Sequence, residues 1–197
     1  MKRILVTFWL VAMFCFIGTW SFAAIIDIVE YPDGYFVDND DNKYSDPYYR
    51  WHNEDWEWQH SAISGTWASA TLSISAFDVD NDGGTSAEID NVYGFLDGSW
   101  ELIGELAGAS DIWSYTTFDL TSEWYDAIAS GLQVRIDIDA LNEYDVWAVS
   151  LAKSVLSLDG GQLPDPEPGS NPVPEPSTAL LLGTGFLGLA CMRRKRV

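Results

Sequence analysis

The stretch "DVDNDGG" places Asp78, Asp80 and Asp82 at alternate positions and follows them with Gly83, which permits a sharp turn. Oxygen ligands at every second residue can curl around a hard cation, so this spacing is that of the opening half of a calcium loop. The second half departs from the pattern. The twelfth position of the loop is Ile89 where a bidentate Glu belongs, and no helical pattern flanks it. Glu88 and Asp90, at the start of the next strand, are the expected replacement ligands. Asp137 and Asp139, two apart in "LQVRIDID", are expected on one strand face, where like charges repel unless compensated. Ca2+ shared among Asp78, Asp80, Asp82, Glu88, Asp90, Asp137 and Asp139 removes that penalty; the alternative is that these acids are solvated loop residues that keep the chain soluble.

Aromatic residues form the second cluster. "YYRWHNEDWEWQH" holds Tyr48, Tyr49, Trp51, Trp56 and Trp58 beside both histidines, His52 and His60. Flat rings flanked by carboxylates and amides grip sugars by stacking on the apolar ring face while hydrogen bonds take the hydroxyls. Trp51, Trp56 and Trp58 are therefore candidate carbohydrate contacts, although alternation puts Trp56 and Trp58 on one strand face, as core packing also requires. His52 and His60 with Glu54 or Asp55 lack the tight spacing of a zinc motif. The chain holds no Gly-x-Ser-x-Gly elbow and no phosphate-binding glycine loop. We expect a non-enzymatic module; the alternative is a secreted polysaccharide-active hydrolase using two of the abundant carboxylates.

These residues need a scaffold, and period-two patterning supplies one. "TWASATLSISAF" sets Ala70, Leu72, Ile74 and Ala76 against Thr71, Ser73 and Ser75, and "LQVRIDID" alternates in the same way. "IIDIVEY", "AEIDNVYGFL", "WELIGEL", "WSYTTFDL", "YDVWAVSL" and "SVLSL" are further short strands between loops rich in Gly, Asp, Asn and Ser. About eight strands of this length predict an all-β fold, an antiparallel β-sandwich of jelly-roll type. "TSEWYDAIASG" is the exception, a short helix capped at Thr121 and stopped at Gly131. The sandwich is expected over residues 24–160, and the Pro- and Gly-rich stretch 161–173 as a stiff spacer.

Both ends read as targeting segments. Lys2 and Arg3 precede the apolar run Ile4 to Ile17, and Ser21-Phe22-Ala23 offers small residues for cleavage, so residues 1–23 read as a signal peptide. At the other end, over 174–197, Pro174-Glu175-Pro176 is followed by an uncharged run from Ser177 to Met192 and by Arg193, Arg194, Lys195 and Arg196. That run is about 24 Å long as a helix, short for a hydrocarbon core of about 30 Å, and the bases favour the cytoplasmic side. Between the ends, residues 24–173 carry 29 acids against 4 bases, a formal charge of −25. Such density repels nucleic acid and anionic membranes. Both cysteines, Cys15 and Cys191, fall in the targeting segments, so disulfides are not part of the design.

The order Pro-Glu-Pro, apolar helix, basic cluster closely resembles the PEP-CTERM sorting signal, which exosortases are thought to recognise. The resemblance implies an exported protein, held at the inner membrane by its C-terminal transmembrane helix until processing and then delivered to the cell surface or extracellular matrix. It also makes exopolysaccharide a candidate partner. More loosely, the strand from Trp67 to Asp80, the Glu88 to Tyr93 strand and the Asp137 to Asp139 strand resemble a β-sandwich domain of such exported proteins, which implies no catalytic activity.

Overall fold

The computed structural model describes residues 24–80, 88–141 and 147–169. Among the described residues nine strands and one α-helix follow in order: β1 (Ile25–Glu30), β2 (Arg50–Trp51), β3 (Trp56–Gln59), β4 (Ala70–Phe77), β5 (Asn91–Leu96), β6 (Ser99–Glu105), β7 (Trp113–Leu120), α1 (Tyr125–Ser130), β8 (Gln133–Asp137) and β9 (Ala148–Leu158). One sheet has the order β1-β9-β4-β7, with β2 also pairing with β9; the other has the order β3-β8-β5-β6. Every pairing among the described residues is antiparallel. The chain passes back and forth between the sheets, the wrapping expected of a jelly roll.

The core lies where the two inner faces meet. Leu72, Ile74 and Ala76 of β4, Val134 and Ile136 of β8, and Leu156 and Leu158 of β9 are all buried there. Each of the Leu, Ile and Val side chains contributes about 1.5–3 kcal/mol on leaving water. Tyr125–Ser130 follows a 3-10 turn at Ser122–Trp124 and closes one end, burying Trp124 and Ile128. Thr121 does not cap the main chain as its position predicts; its hydroxyl donates to Glu123 Oε1 at 2.7 Å. Gly131 does end the helix, at φ 98°.

Two expectations about strands change. "YDVWAVSL" and "SVLSL" do not form two strands: Ala148–Leu158 is continuous, with a register shift opposite Ser75/Ala76 that takes up one extra residue. Residues 161–169 also do not stand off as a spacer. Ser157 Oγ donates to Gly161 O at 3.2 Å, Lys153 Nζ to Asp165 O at 3.0 Å and Ser75 Oγ to Pro166 O at 2.6 Å. The segment is a strap over the outer face of the second half of β9, while in the first half Ser150 Oγ donates to Lys43 O and Tyr48 O of the loop before β2, and β9 is buried from end to end. Polar residues on that outer row, Ser75, Lys153 and Ser157, hold the extended Pro-rich backbone by its carbonyls, since proline offers no N–H of its own. The apolar run 177–192 lies outside the described residues, and among those described no helix is long and apolar enough to cross a membrane.

Gly94 sits where the helix end meets the sheet. A Cβ placed there would lie 2.4 Å from the ring of Trp124 and 3.0 Å from Ile103 Cδ1. Gly94→Ala is therefore expected to displace Trp124 and cost about 1–3 kcal/mol, read as a lower urea midpoint with unchanged slope.

Candidate functional site

The carboxylates singled out in the sequence gather at one end of the sandwich, where β4 ends and β5 begins. Asp80 N donates to Glu88 Oε2 at 2.9 Å, and Glu88 N donates to Asp80 O at 3.2 Å, so these two residues clasp the ends of the intervening segment. Asp82 lies in that segment, outside the described residues. Asp90 is fully buried, and its Oδ1 accepts from Asp139 N at 3.0 Å. Glu88 Oε1 and Asp90 Oδ2 are buried with no hydrogen-bond partner among the described residues. Burial, followed by the charge of Asp90, pushes the Glu88 carboxyl well above the ordinary range. Burial also raises Asp90, reinforced by the charges of Asp139, Glu105 and Asp137 and opposed by the Asp139 N–H.

Three of the expected ligands stand differently. Asp137 and Asp139 do not share a strand face, because β8 ends at Asp137 and Asp139 turns into the interior at φ 46°. Short carboxylate side chains tolerate this left-handed conformation better than most. Asp78, also left-handed at φ 64°, spends its oxygens elsewhere: Oδ2 accepts from Tyr49 OH at 2.7 Å and Oδ1 from Asp111 N at 2.9 Å. It ties loops together, and its charge also reaches Glu88. Among the described residues no group of three or more His, Cys, Asp or Glu side chains is arranged to hold an ion. What the end of the sandwich does present is the pair Glu88 and Asp90, two acids with acceptor oxygens in a dry place.

The aromatic cluster divides. Trp56 and Trp58 are each 7% exposed and pack edge-on against Phe36, with ring centres 6.2 and 5.3 Å away. They belong to the core, which removes them from any surface platform. Trp51 remains 44% exposed and begins a run of ring contacts through Tyr49, Tyr44, Phe77 and Trp113, each pair 5.2–5.7 Å apart. The polar edges of this run meet acids: Tyr44 OH donates to Asp111, and Trp113 Nε1 to Asp40 at 2.7 Å.

One constellation was invisible in the sequence. His60 Nδ1 lies 2.9 Å from Asp27 Oδ2, and His60 Nε2 lies 2.9 Å from Ser154 Oγ. An ionised carboxylate only accepts, so Nδ1 carries the proton, and in the neutral ring Nε2 accepts from the hydroxyl. The order Ser, His, Asp is that of a hydrolase triad. Its setting excludes that chemistry, because Ser154 is fully buried in mid-strand, opposite Val29 and Ile74 in the core. The residues are 33 and 94 positions apart, with no local spacing to reveal them. Their work is structural: edge strand β1 is tied to the segment after β3, across the two sheets.

Fold and side chains together define an acidic antiparallel β-sandwich with a carboxylate-rich end. Residues 172–195 match the PEP-CTERM protein-sorting motif, which implies an exported protein sorted by an exosortase and membrane-anchored before processing. That match takes in Pro174, Glu175, Pro176, Arg193, Arg194 and Lys195, with Arg196 just beyond it. Comparison with the curated proteins finds no match to the chain.

The Asp27 latch carries a pH signature. Its carboxyl is held down at about 2, chiefly by the hydrogen bond from His60. A carboxyl depressed from about 4 adds stability above its unfolded value, and that stability is lost as pH falls through the folded value. Asp27→Asn is expected to cost about 1.5–3 kcal/mol at pH 7, with the difference from the unaltered protein closing between about pH 4 and pH 2 in urea titrations.

Proposed function

We propose that this chain is a non-catalytic component of the cell surface or extracellular matrix, whose acidic sandwich is stabilised by Ca2+ and contacts exopolysaccharide. The sorting motif supports the destination: the protein crosses the inner membrane, is held there through its C-terminal segment, and is released or transferred by exosortase-type processing. The acidic end supports the ion. Two buried carboxylates that both resist ionisation, each with an oxygen lacking a hydrogen bond among the described residues, are a burden in a metal-free fold and an asset beside a hard divalent cation. That pair is the observation on which the reading rests. Extracellular calcium is abundant enough to fill weak sites with oxygen ligands. The exposed aromatic residues support a sugar partner, and the charge of −25 over residues 24–173 disfavours nucleic acid.

A ligand that binds only the native state raises its melting point by mass action. The protein is expected to melt about 5–10 °C higher in saturating Ca2+ than in EDTA. The double variant Glu88→Gln, Asp90→Asn replaces both buried acids with amides that cannot ionise, so it should melt at or above the unaltered protein in EDTA and fail to respond to Ca2+. Identical melts in Ca2+ and EDTA for the unaltered protein would refute the calcium reading. Processing is read separately by mass spectrometry of the exported product, which is expected to lack the final basic residues only where an exosortase is present.

A further inference from the structure

The outer face of the four-stranded sheet was not singled out by the sequence, and it concentrates chemistry that the acidic end does not use. Side chains pointing outward alternate with the core residues Val92, Val134 and Ile136 along β5 and β8. On that face Arg135 pairs across the strands with Glu57 on one side and Tyr93 on the other. Its guanidinium lies 4.9 Å from the Tyr93 ring centre and 5.1 Å from that of Trp100. Phe95 stands edge-on to Trp100 at 5.3 Å, and beside them Leu102 is 57% exposed. Arg135 Nε is buried with no hydrogen-bond partner among the described residues. At the end of this face remote from the acidic cluster, Phe95 walls a cavity of about 270 Å³ that Gln59, Gln133, Asp97, Asp126 and Ser130 also line.

We propose that this face, with its terminal cavity, is a binding site for a neutral polysaccharide; the proposal builds on the polysaccharide reading above and assigns it a place. Rings of Trp100 and Phe95 offer apolar surface to the C–H faces of pyranoses, while the amides of Gln59 and Gln133 and the carboxylates of Asp97 and Asp126 take hydroxyls. The cavity is small for a drug-sized ligand and suits a single sugar ring. Four strands spaced about 4.8 Å apart give a track about 14 Å wide, so contact extends over several sugars of one chain. Charge selects the class of polymer. Arg135 is the sole base on these four strands and is covered by two rings, with Glu57 opposite it and Asp137 two residues along β8, while Asp97 and Asp126 add further negative charge at the cavity. An anionic polymer is repelled, and so is a second copy of a chain carrying a charge of −25 over residues 24–173. An uncharged polymer rich in hydroxyls meets no such opposition.

The test is affinity electrophoresis of the full chain in mild detergent, in native gels containing hydroxyethyl cellulose, alginate or no polymer. Retardation is expected in hydroxyethyl cellulose only. Trp100→Ala and Phe95→Ala should each weaken it at least tenfold, with melting points within a few degrees of the unaltered protein, and Trp51→Ala should leave it intact. Gln133→Ala, an exposed change at the cavity, serves where an aromatic variant fails to fold. No retardation of the unaltered protein in either polymer overturns the polysaccharide reading as a whole. Retardation that survives Trp100→Ala, Phe95→Ala and Gln133→Ala overturns only this placement. Retardation in alginate alone overturns the neutral ligand, and a dimer seen in sedimentation and dissolved by Trp100→Ala assigns the face to a second copy instead.

Discussion

Surplus negative charge is the constraint that shapes this molecule. With 29 acids and 4 bases between residues 24 and 173, ion pairing cannot serve as the general means of compensation. The sandwich relies on other donors. Main-chain N–H groups reach Asp27, Asp55, Asp78, Asp90 and Asp159 from Ser61, Ile138, Asp111, Asp139 and Ala68. Aromatic edges reach others, Tyr49 to Asp78, Tyr44 to Asp111 and Trp113 to Asp40. The consequences are visible in the protonation equilibria: the Trp113 bond, with help from Lys43, lowers Asp40, and the Asp111 bond holds the Tyr44 phenol up at about 12. Rings thus do double service, burying apolar area on their faces and satisfying carboxylates at their edges.

Bases are correspondingly few and committed. Lys153 is fully buried on β9, its pKa lowered by burial while Glu30 and Asp165 oppose that effect. Its ammonium holds the strap through Asp165 O and faces Glu30 at 3.9 Å. Arg50 lies 3.8 Å over Tyr35, and Lys43 lies 4.7 Å over Phe77. A buried ammonium is costly unless its protons are taken up, so the strap and Lys153 depend on one another. Sequence alone cannot reveal that dependence, because a Pro-rich stretch has no hydrophobic period and is legible only as something unable to form a strand or helix.

Much of the scaffold was legible because strand alternation is a local property. β4 and β8 follow from their period, and Gly131 from the need to end α1. What escaped was set by contacts at long range. Alternation placed Trp56 and Trp58 on one face but could not say which, and Phe36 decided for the core. Spacing put Asp137 and Asp139 together, yet the left-handed turn at Asp139 separates them. His60 reads as an isolated residue until Asp27 and Ser154 arrive from β1 and β9. Tyr93, Phe95 and Trp100 sit in two strands whose outer face becomes visible only when β5 and β6 are paired.

Topology also orients the molecule. The strap leaves the end of β9 beside Ser157, crosses at Lys153 and Ser75, and brings Gly169 against Asp38, where an added Cβ would lie 3.5 Å from Asp38 O. The sorting motif begins at residue 172, three residues on, within about 10 Å of chain. Asp38 follows Val37, whose N–H bonds Leu151 O at the end of the sheet where β4 finishes, so the described chain leads towards the sorting motif from the acidic end. An end rich in Asp carries repulsion within itself, and the cation proposed above would relieve it. The Asp97–Gly98 turn and the cavity bounded by Gln59 and Gln133 lie at the opposite end of the four-stranded sheet. The proposed sugar cavity and the proposed cation site thus fall at opposite ends of the four-stranded sheet, with the crowded carboxylates on the side from which the chain leads into the sorting motif.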